Sequence, residues 1–217
     1  MSRKSTPTFT VEFPLDTSPA DDRELRIRRE AYRQIYNAIL GESLKNLKLM
    51  RESKAYQAAR KLPKGSDKDT RARDLRSEIF DGINKKYNFT SVCVEKFAVL
   101  CYRQAPHIGN HIESRGARSM ARRAFEAVQK YAFGKVGKPK FKNYKEINSV
   151  ESTEDSAIML RKRKTDGRLV IKWNGLVLPV VLDLKNDWQI KALTEYKTKF
   201  VLNRHRAIYI IQNHGKI

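Results

Sequence analysis

Ser114–Tyr144 reads SRGARSMARRAFEAVQKYAFGKVGKPKFKNY, and its two halves differ in pattern. With 3.6 residues per turn, the first half predicts one helix with an apolar side. That side contains Ala117, Met120, Ala121, Ala124, Phe125, Val128, Tyr131 and Ala132. Gly134 and Gly137 are expected to end the helix, and Pro139 to prevent it from resuming.

The opposite side of this helix and the residues after it are strongly basic. The cations are Arg115, Arg118, Arg122, Arg123, Lys130, Lys135, Lys138, Lys140 and Lys142, against the single acid Glu126. Surface helices usually mix both signs. After the helix, the lysines alternate with Phe141 and Tyr144, and cations with rings are the side chains that bind phosphates and bases. The pattern favours nucleic-acid contact over the alternative, a solvated basic surface.

The charge of the whole chain supports the same class of partner. Lys and Arg number 45 and Asp and Glu 24, which gives a net charge of +21 over 217 residues. Such an excess predicts a polyanionic partner. Nucleic acid ranks above a membrane surface because the cations are spread along the chain and no tail resembles a lipidation site. No apolar run reaches the roughly 18 residues of a membrane span.

The N-terminus and the cysteines bear on the compartment. The start of the chain, MSRKSTPTFTVEF, has no apolar signal-peptide region. Two cysteines do not make a disulfide scaffold. A reducing cytoplasm is therefore the expected location.

Helical periodicity dominates the first two thirds of the chain. A helix is predicted to start at Asp16–Pro19, and helical structure is predicted to continue to Ala59. Gly41 is a candidate position for a bend in it. Two further helices are predicted at Asp69–Tyr87, with Leu75, Ile79 and Ile83 inward, and at Val92–Gln104.

Strand patterns occur at both ends. Thr8–Leu15 alternates apolar and polar residues. After Tyr144, short β-type runs occur at Ile158–Leu160, Leu169–Trp173, Leu176–Leu182, Lys199–Leu202 and Ala207–Gln212. The dipeptides Asp166-Gly167 and Asn174-Gly175 predict hairpin turns between them.

A lone N-terminal strand is unstable alone, so it should pair with the C-terminal strands. The predicted fold class is α+β, a β-barrel-like domain interrupted by helices. Residues 1–16 would supply its first strand, residues 17–134 the helical insertion, and residues 135–217 the remaining strands.

Three stretches carry a family resemblance. They are AYRQIYNAILGESL at 31–44, SMARRAFEAVQKYAFGKVGKPKFKNYKEINSVES at 119–152 and DGRLVIKWNGLVLPVVLD at 166–183. The most specific signal is Gly137, Pro139 and Phe141 followed by Ser149. The chain resembles the N-terminal half of the TnpB family, transposon-encoded RNA-guided DNA endonucleases related to type V CRISPR effectors. The resemblance implies a wedge β-barrel interrupted by a helical recognition domain, which together hold guide RNA and help to open double-stranded DNA.

The chain also departs from that family. There, a RuvC-like nuclease domain follows, with an Asp-x-Gly strand and a four-cysteine zinc ribbon. This sequence stops at Ile217 and has no Cys-x-x-Cys pair. We therefore expect a truncated, TnpB-like RNA-binding protein that is not an enzyme. The alternatives are one subunit of a split endonuclease with a separate nuclease subunit, a DNA-binding regulator without nuclease activity, and a degenerate relic.

No other chemistry is indicated by the residues, so neither metal nor cofactor is expected. Cys93, Cys101, His107 and His111 do not have zinc-ligand spacing. Asp183, Asp187 and Glu195 are interpreted as surface or capping groups, and His205 and His214 lack a nucleophilic partner at a recognisable spacing. Phe141, Tyr144 and Trp173 fit base stacking or core packing equally well.

The predicted nucleic-acid ligands form one set. Arg161 and Arg163 join it because their basic run precedes a turn of the predicted barrel. The full set is Arg115, Arg118, Arg122, Arg123, Lys130, Lys135, Lys138, Lys140, Phe141, Lys142, Tyr144, Arg161 and Arg163.

Overall fold

The computed structural model describes residues 8–64, 70–152, 158–181, 197–203 and 206–212, with only the backbone at 8–13, 152 and beyond 181. The chain has an α+β fold, as predicted. Its described elements are β1 (Thr8–Pro14), α1 (Pro19–Glu52), α2 (Lys54–Lys61), α3 (Thr70–Lys86), α4 (Ser91–Gln104), α5 (Pro106–Gly109), α6 (Ser114–Ala132), β2 (Ser149–Ser152), β3 (Ile158–Lys162), β4 (Leu169–Trp173), β5 (Leu176–Pro179), β6 (Lys197–Asn203) and β7 (Arg206–Gln212). The interpretations of Asp183, Asp187, Glu195, His205 and His214 lie outside the described residues.

Helix α1 is the longest element and begins where the sequence predicts. Ser18 is its N-cap and forms a capping box with Asp21, which satisfies two backbone donors of the first turn. One continuous helix passes through Gly41, and the break lies at Ser53 instead. The Ser53 hydroxyl accepts a hydrogen bond from the Tyr56 amide, which starts α2.

Helices α4 and α6 pack on α1 and form the core of the molecule. The predicted stripe of α6 is buried from Ala117 to Val128, whereas Tyr131 and Ala132 are only partly buried. Gly116 lies under the Tyr32 hydroxyl, and the Arg51 guanidinium donates to the carbonyl of Ala132. Helices α1 and α6 therefore run parallel to each other.

Helix α3 is less covered than its sequence predicts. Ile83 is buried and Ile79 partly so, but Leu75 is 57% exposed, so its inward placement was wrong. The reason is that α3 packs mainly on the short helix α2, through the Tyr56–Phe80 edge-to-face contact. A helix of eight residues cannot cover all of the apolar side of α3.

The strands form two antiparallel sheets, in the orders β1-β7-β6-β2 and β3-β4-β5. The N-terminal strand pairs with β7 from Thr8↔Gln212 to Pro14↔Arg206, which confirms the pairing of the two ends of the chain. The bridge Leu15↔Val180 and the hydrogen bonds from Asp16 N to Pro179 O and from Val181 N to Pro14 O join the two sheets. The described strands do not close into a barrel. The predicted division into domains stays a prediction.

Two details of the strands differ from the prediction. Strand β2 was missed because Ser149–Ser152 is short and mostly polar. Asp166-Gly167 lies within a six-residue loop between β3 and β4, rather than in a two-residue turn. Asn174-Gly175 does form the tight turn between β4 and β5, with φ of 43° and 81°.

A buried polar junction attaches the β3-β4-β5 sheet to α1. Arg28 is 5% exposed and donates to the carbonyls of Trp173 and Asn174, while its guanidinium lies 5.0 Å from the centre of the Trp173 ring. Glu24 accepts from Arg28 at 2.9 Å and lies 3.2 Å from His111 Nδ1. Burial acts to raise the pKa of Glu24, but hydrogen bonds from Arg28 and His111 outweigh it and lower that pKa. Each nitrogen of the buried guanidinium therefore has an acceptor, as a buried charge requires.

Candidate nucleic-acid interface

Helix α6 turns its arginines away from the core. Arg115, Arg118 and Arg123 are exposed, and Arg122 is half-buried. These four residues are called the arginine face below. Arg123 donates to the carbonyl of Ser149 at 3.0 Å, and Arg122 Nε lies 3.4 Å from a carboxylate oxygen of Glu95 on α4. Arg122 and Arg123 thus also join α6 to α4 and β2, whereas Arg118 makes no hydrogen bond or ion pair within the described ranges.

Residues 133–145, called the basic segment below, follow α6 without regular secondary structure. Gly134, at φ 70°, ends the helix as predicted. The Gly134 amide donates to Tyr131 O and the Lys135 amide to Lys130 O, which is a Schellman motif. The chain then turns back along α1.

The basic segment is held on α1 by three side chains. Asn37 accepts from the Lys142 amide at 2.8 Å and donates to the Lys142 carbonyl at 2.9 Å. Arg33 donates to the same carbonyl at 3.0 Å. The Phe141 ring lies 3.6 Å from the position that a Cβ of Gly41 would occupy. Two of the stretches that carry the family resemblance, 31–44 and 119–152, therefore contact each other here.

This attachment leaves the cations and two rings of the basic segment open to solvent. Lys135, Lys138 and Lys140 are exposed, as is Lys130 at the end of α6, and Lys142 is half-buried. The Phe141 side chain is 56% exposed and that of Tyr144 is 63% exposed. Both rings are therefore available to a ligand, in contrast to Trp173, which is fully buried and belongs to the core.

Arg161 lies in β3, Arg163 is the first residue of the β3–β4 loop, and the two differ in their contacts. Arg161 is exposed, and its guanidinium lies 3.3 Å from the sulfur of Met159. Arg163 is half-buried and makes a two-point ion pair with Asp166, which lowers the pKa of that carboxyl to about 2. Arg163 thus closes the loop, and phosphate contact by either arginine stays a prediction.

Sequence reasoning missed the cations of α1 as candidate ligands. Arg26, Arg29 and Arg33 are spaced by three and four residues, and all three line a cleft against residues 144–148. That spacing places side chains on one face of a helix and was visible in the sequence. The signal was hidden because five arginines occur within eleven residues there and only their helical register separates them.

The described histidines, His107 and His111, contact polar side chains of α1. His107 hydrogen-bonds Gln34 at 2.9 Å and His111 contacts Glu24. Cys93 and Cys101 are free thiols and partly buried, and burial raises the pKa of Cys101. Within the described ranges, no three His, Cys, Asp or Glu side chains lie close enough to hold a metal ion.

A scan against known protein families finds no family that matches this chain. A search of curated proteins likewise finds no match. Of the helices in the described part of the chain, none combines the length and apolarity needed to cross a bilayer.

Proposed function

We propose that this chain is a TnpB-like nucleic-acid-binding protein whose main partner is a structured guide RNA. The observation that carries the proposal is the arrangement of the nine cations between Arg115 and Lys142. Seven of them are exposed and two half-buried, beside two rings that are more than half exposed. Cations that neutralise phosphates and open rings that stack on bases are the parts of a nucleic-acid interface.

The arrangement of strands supports the wedge-domain part of this proposal. The two sheets are joined by the bridge between Leu15 and Val180. We propose that these sheets belong to a β-barrel-like domain, with the helices as the recognition insertion. Double-stranded DNA is a further candidate ligand of the same cationic surface.

Binding without cleavage is the activity that we propose for this chain on its own in the cytoplasm. The 217 residues contain neither the Asp-x-Gly strand motif nor a Cys-x-x-Cys pair of the resembling family. If this protein takes part in DNA cleavage, we propose that a separate subunit supplies the nuclease. Metal-dependent cutting of plasmid DNA by the purified chain, with Mg²⁺ or Mn²⁺ and its RNA, would contradict this proposal.

The central test is the salt dependence of RNA binding. RNA that co-purifies with the protein is sequenced, and its affinity is measured by filter binding from low to physiological salt. We expect the logarithm of the affinity to fall steeply with the logarithm of the salt concentration, because each neutralised phosphate releases counterions. The double variant Arg118→Gln/Lys140→Gln should bind more weakly, with a slope reduced by about one unit per lost contact.

A charge-matched control separates contact from overall charge. Lys64→Gln/Arg71→Gln removes the same charge from exposed positions of α3 and the residues before it. This control should keep nearly the wild-type slope. Equal slopes in all three proteins would show that the arginine face and the basic segment do not touch RNA.

A further inference from the structure

Phe133, the first residue of the basic segment, is the most exposed of the large apolar side chains that the structure describes. It is 72% exposed, and Val136, three residues later, is 49% exposed. Single exposed apolar residues are common on protein surfaces, so exposure alone does not assign a role to this ring. Two further features distinguish Phe133, namely its fixed backbone and the cations that flank it along the chain.

The backbone on both sides of Phe133 is held by hydrogen bonds. The Phe133 amide donates to Gln129 O at 2.9 Å, and the Schellman motif that ends α6 fixes the residues after it. On the other side, the Ala132 carbonyl accepts from Arg51 of α1 at 2.9 Å. The exposed ring therefore extends from a backbone that is already fixed, so a ligand that contacts the ring need not order this backbone first.

Lysines lie on both sides of Phe133 in the chain, and the helix end brings two of them together. The Lys135 amide donates to Lys130 O at 2.9 Å, and both side chains are exposed, as is that of Lys138. Residues near these positions of a Schellman motif frequently make an apolar contact, but here both are lysines. No acid occurs between Glu126 and Glu146. Lysines at a helix C-terminus complement the helix dipole whatever they bind, so the exposed ring among them is the feature that indicates a ligand.

We propose that an unpaired base of the bound RNA stacks on Phe133 while Lys130 and Lys135 contact the flanking phosphates. The inference rests on the proposed function and deepens it, because it assigns an unpaired stretch of RNA to the C-terminal end of α6. A base can stack on a side chain only where it is not held inside a duplex, as in loops, bulges and ends. A ring with cations on both sides matches the alternation of bases and phosphates along a single strand.

The test compares two RNA probes by fluorescence anisotropy over a range of salt concentrations. The first probe is an oligouridylate, which is unpaired, and the second is a blunt, fully paired duplex of the same length. Phe133→Leu should weaken oligouridylate binding about tenfold and leave duplex binding unchanged, because leucine keeps an apolar surface but offers no ring. The salt slope of this variant on oligouridylate should stay that of the wild type, because stacking releases no counterions.

Two further variants separate the ring from the cations. Phe133→Trp should bind oligouridylate at least as tightly as the wild type, because an indole also stacks on bases. Its fluorescence should be quenched by oligouridylate more strongly than that of the wild type, since the base stacks on the introduced ring. Lys130→Gln/Lys135→Gln should weaken oligouridylate binding and, unlike Phe133→Leu, lower the salt slope by about one unit per lost contact.

Leu75→Ala is the control for exposed apolar surface, since Leu75 is 57% exposed on α3, and it should bind both probes like the wild type. Thermal unfolding checks that every variant folds. Wild-type oligouridylate affinity in Phe133→Leu would overturn the inference in favour of an apolar contact with a protein. Equal losses for both probes, or binding of the co-purifying RNA without any binding of oligouridylate, would also overturn it while leaving RNA binding intact. If the wild type binds neither probe nor the co-purifying RNA, the proposed function fails, and the inference fails with it.

Discussion

At the scale of single residues, the contact between α1 and α6 depends on one glycine. An ideal Cβ at Gly116 would lie 1.8 Å from the Tyr32 hydroxyl oxygen, so this position accepts no side chain without movement. The Tyr32 hydroxyl is buried and makes no hydrogen bond within the described part of the chain. Burial raises the pKa of Tyr32 far above its usual range, and burial also raises the pKa of the neighbouring Glu113. The close approach of Gly116 to Tyr32 therefore coincides, in the described part of the chain, with a buried hydroxyl that lacks a hydrogen-bond partner.

This contact yields a double-mutant prediction. Gly116→Ala should lower the free energy of unfolding by about 1–3 kcal/mol, because an added methyl overpacks the core. Tyr32→Phe should be nearly neutral, since it removes a buried hydroxyl that has no partner. Combined, the two changes should cost less than their sum by at least about 0.5 kcal/mol. Urea unfolding of the four proteins measures the coupling, and strict additivity would contradict the packing described here.

At the scale of elements, helix α1 holds the basic segment at Phe141 and Lys142, between the hydrogen-bonded turns at its two ends. Asn37 binds both backbone groups of Lys142, a residue 105 positions away, as a neighbouring strand would. Phe141 lies over Gly41, and its ring is 3.6 Å from the position that a Cβ would occupy there. The position of the segment along α1 therefore depends on side chains of that helix.

Asn37→Ala tests this dependence. The change should cost about 1–3 kcal/mol locally, since it leaves the amide and carbonyl of Lys142 without Asn37. Trypsin should then cut faster after Lys140, and RNA affinity should fall because the lysines lose their fixed spacing. Asn110→Ala is the matched control, because Asn110 is an exposed asparagine after α5. It should change neither the rate of proteolysis nor the RNA affinity. Unchanged proteolysis in Asn37→Ala would show that other contacts hold the segment.

At the scale of the whole molecule, ion pairs lie within α1 and within the β3–β4 loop, and Arg28 of α1 also donates hydrogen bonds to the sheet at Trp173 and to Asn174 after it. The pKa values of Glu24, Glu30 and Asp166 are all lowered in the folded protein. Carboxyls with lowered folded pKa stabilise the protein above their unfolded pKa, and this contribution is lost as the pH falls through the folded pKa. The pKa of Glu146 is lowered as well, by hydrogen bonds from Asn143. Glu113, whose pKa is raised by burial, acts in the opposite direction, but it is one group against four.

We therefore expect the melting temperature to fall on acidification, mainly between about pH 5 and pH 2, where these carboxyls become protonated. Protonation of carboxylates also raises the net charge above +21. The added charge repulsion lowers the melting temperature further. Glu24→Gln should lower the melting temperature at neutral pH and flatten this acid dependence. Glu126→Gln, at an exposed carboxylate of α6, should do neither. Calorimetry across this range measures both effects, and a melting temperature that rises on acidification would contradict the assignment of these ion pairs.

The sequence by itself determined what depends on near neighbours. The apolar stripe of α6, its end at Gly134, the Ser18 cap of α1 and the Asn174-Gly175 turn follow from periodicity and from local backbone preferences over a few residues. The pairing of β1 with the C-terminal strands could also be predicted, because an isolated strand has no other way to satisfy its backbone.

Only the tertiary structure decided the contacts between distant parts of the chain. The sequence around Trp173 fits both core packing and base stacking. In the structure Trp173 is a core residue, and Arg28, which is 145 positions earlier, covers its ring. Arg122 of α6 acquired a carboxylate partner, Glu95 of α4, that no periodicity predicts. The cleft lined by Arg26, Arg29 and Tyr144 exists because the basic segment turns back along α1. The helical register of α1 orders side chains along that one helix, but it cannot specify which other segment packs against them.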